Sequence, residues 1–108
     1  MAISRKEEKR ALDAEEFELV DRTHHPQVAD LSDTELRDLI KLVRDRRDRA
    51  KDMASRRRRE MRGKAAPRGA EASKADDGSR LKTEVLAMAV RRLNAERSRR
   101  EAGATGEE

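Results

Sequence analysis

Residues 31–43, LSDTELRDLIKLV, contain the clearest helix start in the chain and the apolar spacing that decides the fold. The Ser32 hydroxyl can accept a hydrogen bond from a free amide of the first turn, and the Glu35 carboxylate can accept one from the Ser32 amide. Leu31 and Leu36 flank this capping box, where apolar side chains often pack together. The stretch therefore predicts a helix that begins directly after the serine.

This helix is predicted to run over about 33–62, with Gly63 suited to its C-terminal cap and Pro67 beyond. Its first half has a narrow apolar stripe made of Leu36, Leu39, Ile40 and Val43. In the second half the stripe continues as Ala50, Ala54 and Met61, with Arg47, Arg57 and Arg58 on the same face. Burying a guanidinium without a partner is costly, so we expect the first half to pack and the second half to project as a charged rod.

Residues 1–30 form a weakly amphipathic segment ahead of this helix. Phe17 and the leucines and valine near it cover rather less than half of a helical wheel, which predicts one helix over about 4–21. The sequence His24-His25-Pro26 then ends the pattern, because proline disfavours a helical residue before it. A short helix followed by a polar turn is expected here.

The C-terminal part contains a loop, a helix and a tail in the sequence-based prediction. Residues 63–79 are rich in Gly, Ala, Ser and Asp without apolar periodicity, and they predict a flexible basic loop. Residues 80–101 predict a helix whose apolar face is wider than one neighbour needs. Packing against two helices, or against a second copy of the chain, would cover it. Residues 102–108 predict a disordered tail.

Composition supports an all-α fold. The 108 residues contain 1 phenylalanine and no other aromatic residue, and they are rich in Ala, Glu and Arg. The expected architecture is a helical hairpin of two long helices, over 31–101, plus a shorter N-terminal helix. The apolar content is small for 108 residues, and a lone compact chain of this kind would be marginally stable.

The net charge of +4 hides a segregation along the chain. Residues 1–43 have 7 basic and 11 acidic side chains, residues 44–69 have 12 and 4, and residues 70–108 have 8 and 8. The basic excess is therefore central and local. Such an excess predicts a field that attracts polyanions.

We predict that this basic region binds nucleic acid through phosphate contacts. Arginine offers a planar fork of donors that matches phosphate and remains charged at physiological pH. The predicted contacts are Arg44, Arg47, Lys51, Arg56, Arg57, Arg58, Arg59, Arg62, Lys64 and Arg68. The competing interpretation is a solvated helix end, since cations are also favoured there by the helix dipole. RNA or a ribonucleoprotein is favoured over specific DNA, because residues that stack on or read bases are absent from the run.

An interaction or adaptor module is the alternative hypothesis. The wide apolar face of the third helix could bind a protein partner or form a homodimer, and Leu86, Val90 and Leu93 are the predicted interface. The thin core motivates this interpretation, because a partner would supply the missing burial.

Other functions have little support in the sequence. The chain has no cysteine, and His24 and His25 have no ligand spacing, so no metal site and no cofactor is expected. MRGKA lacks the earlier glycine and the Ser or Thr of a phosphate loop. No catalytic residues are predicted, and a non-enzymatic protein is expected. No stretch has the apolar length of a signal peptide or a membrane span, so membrane association is disfavoured and a cytoplasmic location is predicted.

Overall fold

A computed structural model describes the backbone of residues 3–63 and 69–106 and the side chains of residues 3–60 and 78–103. The described backbone contains helices and no strand. The helices are α1 (Arg5–Ala11), α2 (Ala14–Asp21), α3 (Gln27–Asp30), α4 (Asp33–Gly63) and α5 (Gly69–Gly106). The predicted all-α fold is confirmed.

The two long helices, α4 and α5, pack against each other as an antiparallel hairpin. At one end the Arg100 guanidinium donates to the Asp33 carboxylate, with 3.0 Å between Nη1 and Oδ1. Toward the other end Arg57 Nη1 donates to Ser79 Oγ over 3.2 Å. The 31 residues of α4 correspond to a rod of about 46 Å at 1.5 Å per residue. The hairpin is therefore the frame on which the rest of the chain is placed.

Helix α4 starts as its sequence predicts. The Ser32 hydroxyl accepts from the Glu35 amide at 3.1 Å, and Glu35 Oε1 accepts from the Ser32 amide at 2.9 Å. Leu31 and Leu36 are both buried beside this box. The reciprocal bonds satisfy two amides that the first turn of any helix leaves without a backbone partner.

The N-terminal segment forms two helices before the turn, so the prediction of one helix over 4–21 is wrong. Leu12 is extended between α1 and α2 and is buried. Asp13 then starts α2 with its own capping box, in which Asp13 Oδ1 accepts from the Glu16 amide at 2.7 Å. Because aspartate at this position satisfies the amides of a new first turn, the chain changes direction here instead of continuing as one rod.

Helix α5 is longer than predicted. It begins at Gly69 and ends at Gly106, whereas the predicted bounds were about 80 and 101, with a loop over 63–79 and a tail over 102–108. Alanine, glutamate and lysine favour helix even where apolar periodicity is absent, and α4 runs alongside the extension. Residues 64–68, 107 and 108, on which part of the flexibility prediction falls, lie outside the described residues.

The core lies where α1, α2 and α3 cover one end of the hairpin. Helices α1 and α3 pack on α5, and α2 packs on α4. The largest fully buried side chains there are Leu36, Leu39, Leu86, Leu93, Val20, Val28, Val43, Val85 and Thr23. The predicted stripe of α4 is confirmed as core. The wide apolar face of α5 is covered by α4, α1 and α3 of the same chain.

The second half of α4 packs differently. Its buried side chains within the described residues are Ala50 and Ala54, which are 7 % and 5 % exposed. Small side chains let two helices lie close together while longer ones point away on either side. The expectation that this half projects from the core as a charged rod is corrected, because the extended α5 lies along it, although its buried side chains within the described residues are small.

None of the helices in the described ranges has both the length and the apolar character needed to cross a bilayer.

Candidate nucleic-acid interface

Most of the predicted phosphate contacts lie on the second half of α4. Arg44, Lys51 and the four arginines 56–59 are exposed, and Arg47 is half-buried. Arg62 belongs to α4, but its side chain lies outside the described residues, as do Lys64 and Arg68. The structure therefore places one continuous basic helix segment at the surface.

Some of these arginines have partners within the chain. Arg47 donates to Asp48 Oδ1 from Nη2 at 3.1 Å, and Arg59 Nε reaches the Ser55 carbonyl oxygen at 3.5 Å. Arg57 is held by Ser79 as described above. By contrast, Arg44, Lys51 and Arg56 have no ion pair with any other residue that the structure describes.

One flank of the distal hairpin forms a groove of about 400 Å³ between α4 and α5. Cationic side chains line it from both helices: Lys51 and Arg58 from α4, and Arg80 and Arg91 from α5. Alanines 54 and 87 also line this groove, together with the hydroxyls of Ser55 and Thr83 and the carboxylate of Glu84. We call this feature the basic groove.

The basic groove includes residues that the sequence prediction missed. Arg80 and Arg91 lie in a C-terminal region whose charges balance, so counting by segment did not single them out. Arg80 and Arg91 join the basic surface because α5 packs antiparallel to α4, which places them beside Lys51 and Arg58. Seven-residue spacing then explains the α4 side, because Arg44, Lys51 and Arg58 are separated by about two helical turns and share a face.

The opposite flank of the hairpin forms a second cleft of about 260 Å³, and three of the four cations that line it are paired with carboxylates. Arg46 Nη2 lies 2.7 Å from Glu15 Oε1, and Lys82 Nζ lies 3.0 Å from Glu16 Oε1. Arg49 is paired with Asp45 at 3.2 Å. The two flanks therefore differ, since Arg46, Arg49 and Lys82 are matched by carboxylates of the same chain, while Arg57, the fourth cation of this cleft, donates to the Ser79 hydroxyl.

Several further cations hold the N-terminal helices in place. Glu8 is 2 % exposed, and both of its carboxylate oxygens lie within 3.0 Å of His24 Nε2. Arg92 Nη2 is 3.7 Å from Glu8 Oε2 and 2.9 Å from the Thr23 hydroxyl, which accepts its hydrogen bond. Burial lowers the pKa of His24 below its ordinary value, an effect that the hydrogen bond to Glu8 opposes. Burial likewise lowers the pKa of Arg92.

Glu96 is the centre of a second buried cluster. Hydrogen bonds from Arg99 and Arg100, each with a closest N–O distance of 2.7 Å, lower the pKa of Glu96 to about 2. Arg100 also donates to the Val28 carbonyl oxygen at 3.1 Å, and so ties α5 to α3. The basic surface therefore does not extend to these arginines. The side chains of Arg92, Arg99 and Arg100 are hydrogen-bonded within the chain.

The predicted protein interface is not a surface. Leu86 and Leu93 are 0 % exposed and Val90 is 4 % exposed, all within the core between α4, α5 and the N-terminal helices. The prediction of these residues as a partner-binding face is corrected, because the chain covers the face itself.

The arrangement of the titratable side chains bears on metal binding and on acid–base chemistry. Among the described side chains no group of three or more His, Cys, Asp and Glu residues is arranged to hold a metal ion. In the Glu8–His24–Arg92 cluster the buried Glu8 is hydrogen-bonded to His24 and ion-paired with Arg92, and within the described part of the chain no buried side-chain nitrogen or oxygen lacks a partner. This cluster therefore acts as a structural tie between α1, the turn before α3, and α5.

Comparison of the chain with protein-family models, with curated proteins and with solved structures finds no match in any of the three.

Proposed function

We propose that this protein binds nucleic acid through phosphate contacts from the distal half of α4 and the facing part of α5. The observation that carries the proposal is that the buried carboxylates are ion-paired, while several exposed cations of α4 have no ion pair within the described residues. The carboxylates Glu8, Glu16 and Glu96 are buried in ion pairs near the core, while the exposed cations Arg44, Lys51 and Arg56 have none among the described residues. A polyanion would supply the missing partners.

Contacts of this kind favour the phosphate backbone over base sequence. The described lining of the basic groove is cationic, hydroxylic and alanine-rich, and it contains no aromatic ring on which a base could stack. Phe17, the single aromatic residue, packs against the core at the other end. Binding with little sequence preference, to RNA or a ribonucleoprotein more than to a specific DNA site, fits this lining.

A non-enzymatic role and a cytoplasmic location belong to the same proposal. An adaptor role through Leu86, Val90 and Leu93 would require α5 to leave the core, so we do not favour it. A homodimer is not needed to cover these side chains.

The proposal is tested by measuring affinity for an RNA oligonucleotide as a function of salt. A phosphate-driven complex should weaken steeply between about 50 and 200 mM salt. Replacing Arg56, Arg57, Arg58 and Arg59 by Ala should reduce both the affinity and the salt dependence. Alanine is the best helix former, so α4 is expected to persist in the variant.

The matched control removes the same charge from the other end of the molecule. Lys6, Lys9, Arg10 and Arg37 are exposed, and replacing all four by Ala lowers the net charge equally. The control should retain most of the affinity. Equal losses in the two variants would contradict the assignment to α4, and an affinity independent of salt in the unmodified protein would contradict phosphate binding itself.

A further inference from the structure

We propose that the basic groove is the path of a single phosphate backbone, so that the preferred ligand is a single-stranded polynucleotide and not a duplex. This inference rests on the proposed function and specifies its ligand. It is derived from the shape of the groove and from the arrangement of cations along its two sides.

The first step is the position of the cations. Arg58 and Arg80 lie toward the distal end of the hairpin, and Lys51 and Arg91 lie nearer the core, so both helices contribute at each end of the groove. Lys51 and Arg91 are exposed and have no ion pair within the described residues. Arg58 and Arg80 also interact within the chain. A backbone lying along the groove would meet positive charge on both sides.

The second step is the width of the helix pair that forms the basic groove, compared with the width of the grooves in a duplex. A B-form major groove is about 12 Å wide and admits one α-helix of about 10 to 12 Å, and A-form RNA has a deep, narrow major groove and a shallow minor groove. Here the cations flank a seam between two helices whose axes are expected to lie about 8 to 10 Å apart. The pair is too wide to enter a duplex groove together, so a duplex would touch only the outer rims. A single strand can enter the seam.

The third step is the chemistry of the lining. Ser55 offers a hydroxyl, and Thr83 Oγ1 already donates to the Ser79 carbonyl oxygen at 2.9 Å. Ala54 and Ala87 present methyl groups that neither donate nor accept hydrogen bonds. The lining can therefore hold phosphates while the bases point outward, which predicts weak preference among base sequences.

The fourth step is the contrast with the opposite flank. In the cleft on that flank, Arg46 and Lys82 pair with Glu16 of the lining, Arg49 pairs with the neighbouring Asp45, and Arg57 donates to Ser79. Glu84 is the one carboxylate among the side chains that line the basic groove. An approaching polyanion thus meets compensated charge on one flank of the hairpin and a cationic excess on the other.

The test uses the full chain and a 20-nucleotide oligouridylate as the probe, with a duplex RNA of equal phosphate number as competitor. If four cations contact the strand, the slope of log affinity against log salt should be about −2.8. Lys51→Glu combined with Arg91→Glu reverses charge on both sides of the groove. We expect this variant to bind the single strand about a hundredfold more weakly and with a slope nearer about −1.4.

The matched control is Arg37→Glu combined with Lys41→Glu, which makes the same charge change at exposed positions of α4 outside the groove lining. It should lose no more than about tenfold in affinity, since only long-range attraction changes. The unmodified protein should also prefer the single strand to the duplex, and the groove variant should lose that preference. Lys51→Gln with Arg91→Gln gives a milder second variant, and circular dichroism verifies helix content in all of them.

The outcomes separate the two proposals. Equal losses in groove and control variants, or a preference for the duplex, would overturn the single-strand path while leaving nucleic-acid binding in place. Absence of binding to either nucleic acid at low salt would overturn both. Binding of an acidic peptide in preference to the oligonucleotide would assign the basic groove to a protein partner and would also overturn both.

Discussion

The two ends of the α4–α5 hairpin are built from the same pair of helices and differ in what lies between and around them. At the docked end, which α1, α2 and α3 cover, leucines and valines fill the interface and carboxylates are buried in ion pairs. At the distal end, which begins near Ala50, the buried side chains of α4 within the described residues are two alanines, and exposed arginines surround them. The difference shows how a chain with few apolar residues concentrates its burial at one end and its exposed positive charge at the other.

Burial explains most of this division. A fully buried leucine or valine contributes roughly 1.5 to 3 kcal/mol, and an alanine contributes much less because it removes less apolar area from water. The docked end therefore supplies most of the stability. The distal end can carry a surplus of like charge, because its side chains lie in solvent where repulsion is screened.

The largest expected difference between the two ends is the loss of unfolding free energy when a core side chain of the docked end is shortened. Replacing Leu86 with Ala should cost about 2 to 5 kcal/mol of unfolding free energy, because it leaves a cavity between α4, α5 and the N-terminal helices. The same change at Leu42, which is 51 % exposed, should cost less than about 0.5 kcal/mol. Urea denaturation followed by circular dichroism measures both. Similar midpoints for the two variants would refute the core assignment.

A medium effect is expected from the buried ion pairs of α2. Glu16→Gln keeps an oxygen for the amide of Asp13 but removes the charge that holds Lys82 and Arg46, so it should cost about 1 to 3 kcal/mol. Glu15→Gln is the matched control, because the Glu15 side chain is 72 % exposed. Its cost should stay below about 0.5 kcal/mol. A control that costs as much as Glu16→Gln would show that burial does not strengthen these pairs.

The smallest effect is a dependence of stability on pH that originates at the docked end. Burial lowers the pKa of His24 in the folded state, so the unfolded chain binds the proton more readily and stability falls as pH drops below about 6.5. One proton limits this slope to about 1.4 kcal/mol per pH unit. Thermal melts between pH 7 and 5 should show the loss, and His24→Gln should flatten it.

The adjacent histidine provides the control for that prediction. His25 is exposed, and His25→Gln should leave the pH dependence unchanged. A second loss of stability should begin as pH falls below 4.5 toward the Glu96 pKa of about 2, because the salt bridges of that carboxylate disappear on protonation. A flat profile from pH 7 to 5 in the unmodified protein would contradict the assignment to His24.

Local signals explain which parts of the fold could be read from the sequence. The Ser32 and Glu35 spacing, followed by the apolar stripe, predicts the start and buried face of α4, and both are confirmed. The same kind of signal was present at Ser4 with Glu7 and at Asp13 with Glu16, and it marks the starts of α1 and α2. Weighing these two boxes would have divided the predicted N-terminal helix correctly.

The candidate site was predictable in part for a similar reason. A run of arginines on a helix with a thin apolar stripe has to face solvent, so the exposure of residues 56–59 follows from sequence. The residues that α5 contributes to the basic groove could not be predicted from the sequence. Arg80 and Arg91 are separated from the arginine run by more than twenty positions and lie in a region of balanced charge. Only the antiparallel packing places them beside Lys51 and Arg58.

By itself, the sequence determined the helical class of this protein, the start of α4, its apolar stripe and the central excess of arginine, because each depends on residues within a few turns of one another. The tertiary structure decided which charged side chains form ion pairs with one another. Glu8 meets His24 and Arg92, and Glu16 meets Lys82, only after the N-terminal helices dock on the hairpin. Pairing over such distances depends on how helices pack, and it separates the cations that hold the fold from those that the proposed function assigns to a polyanion.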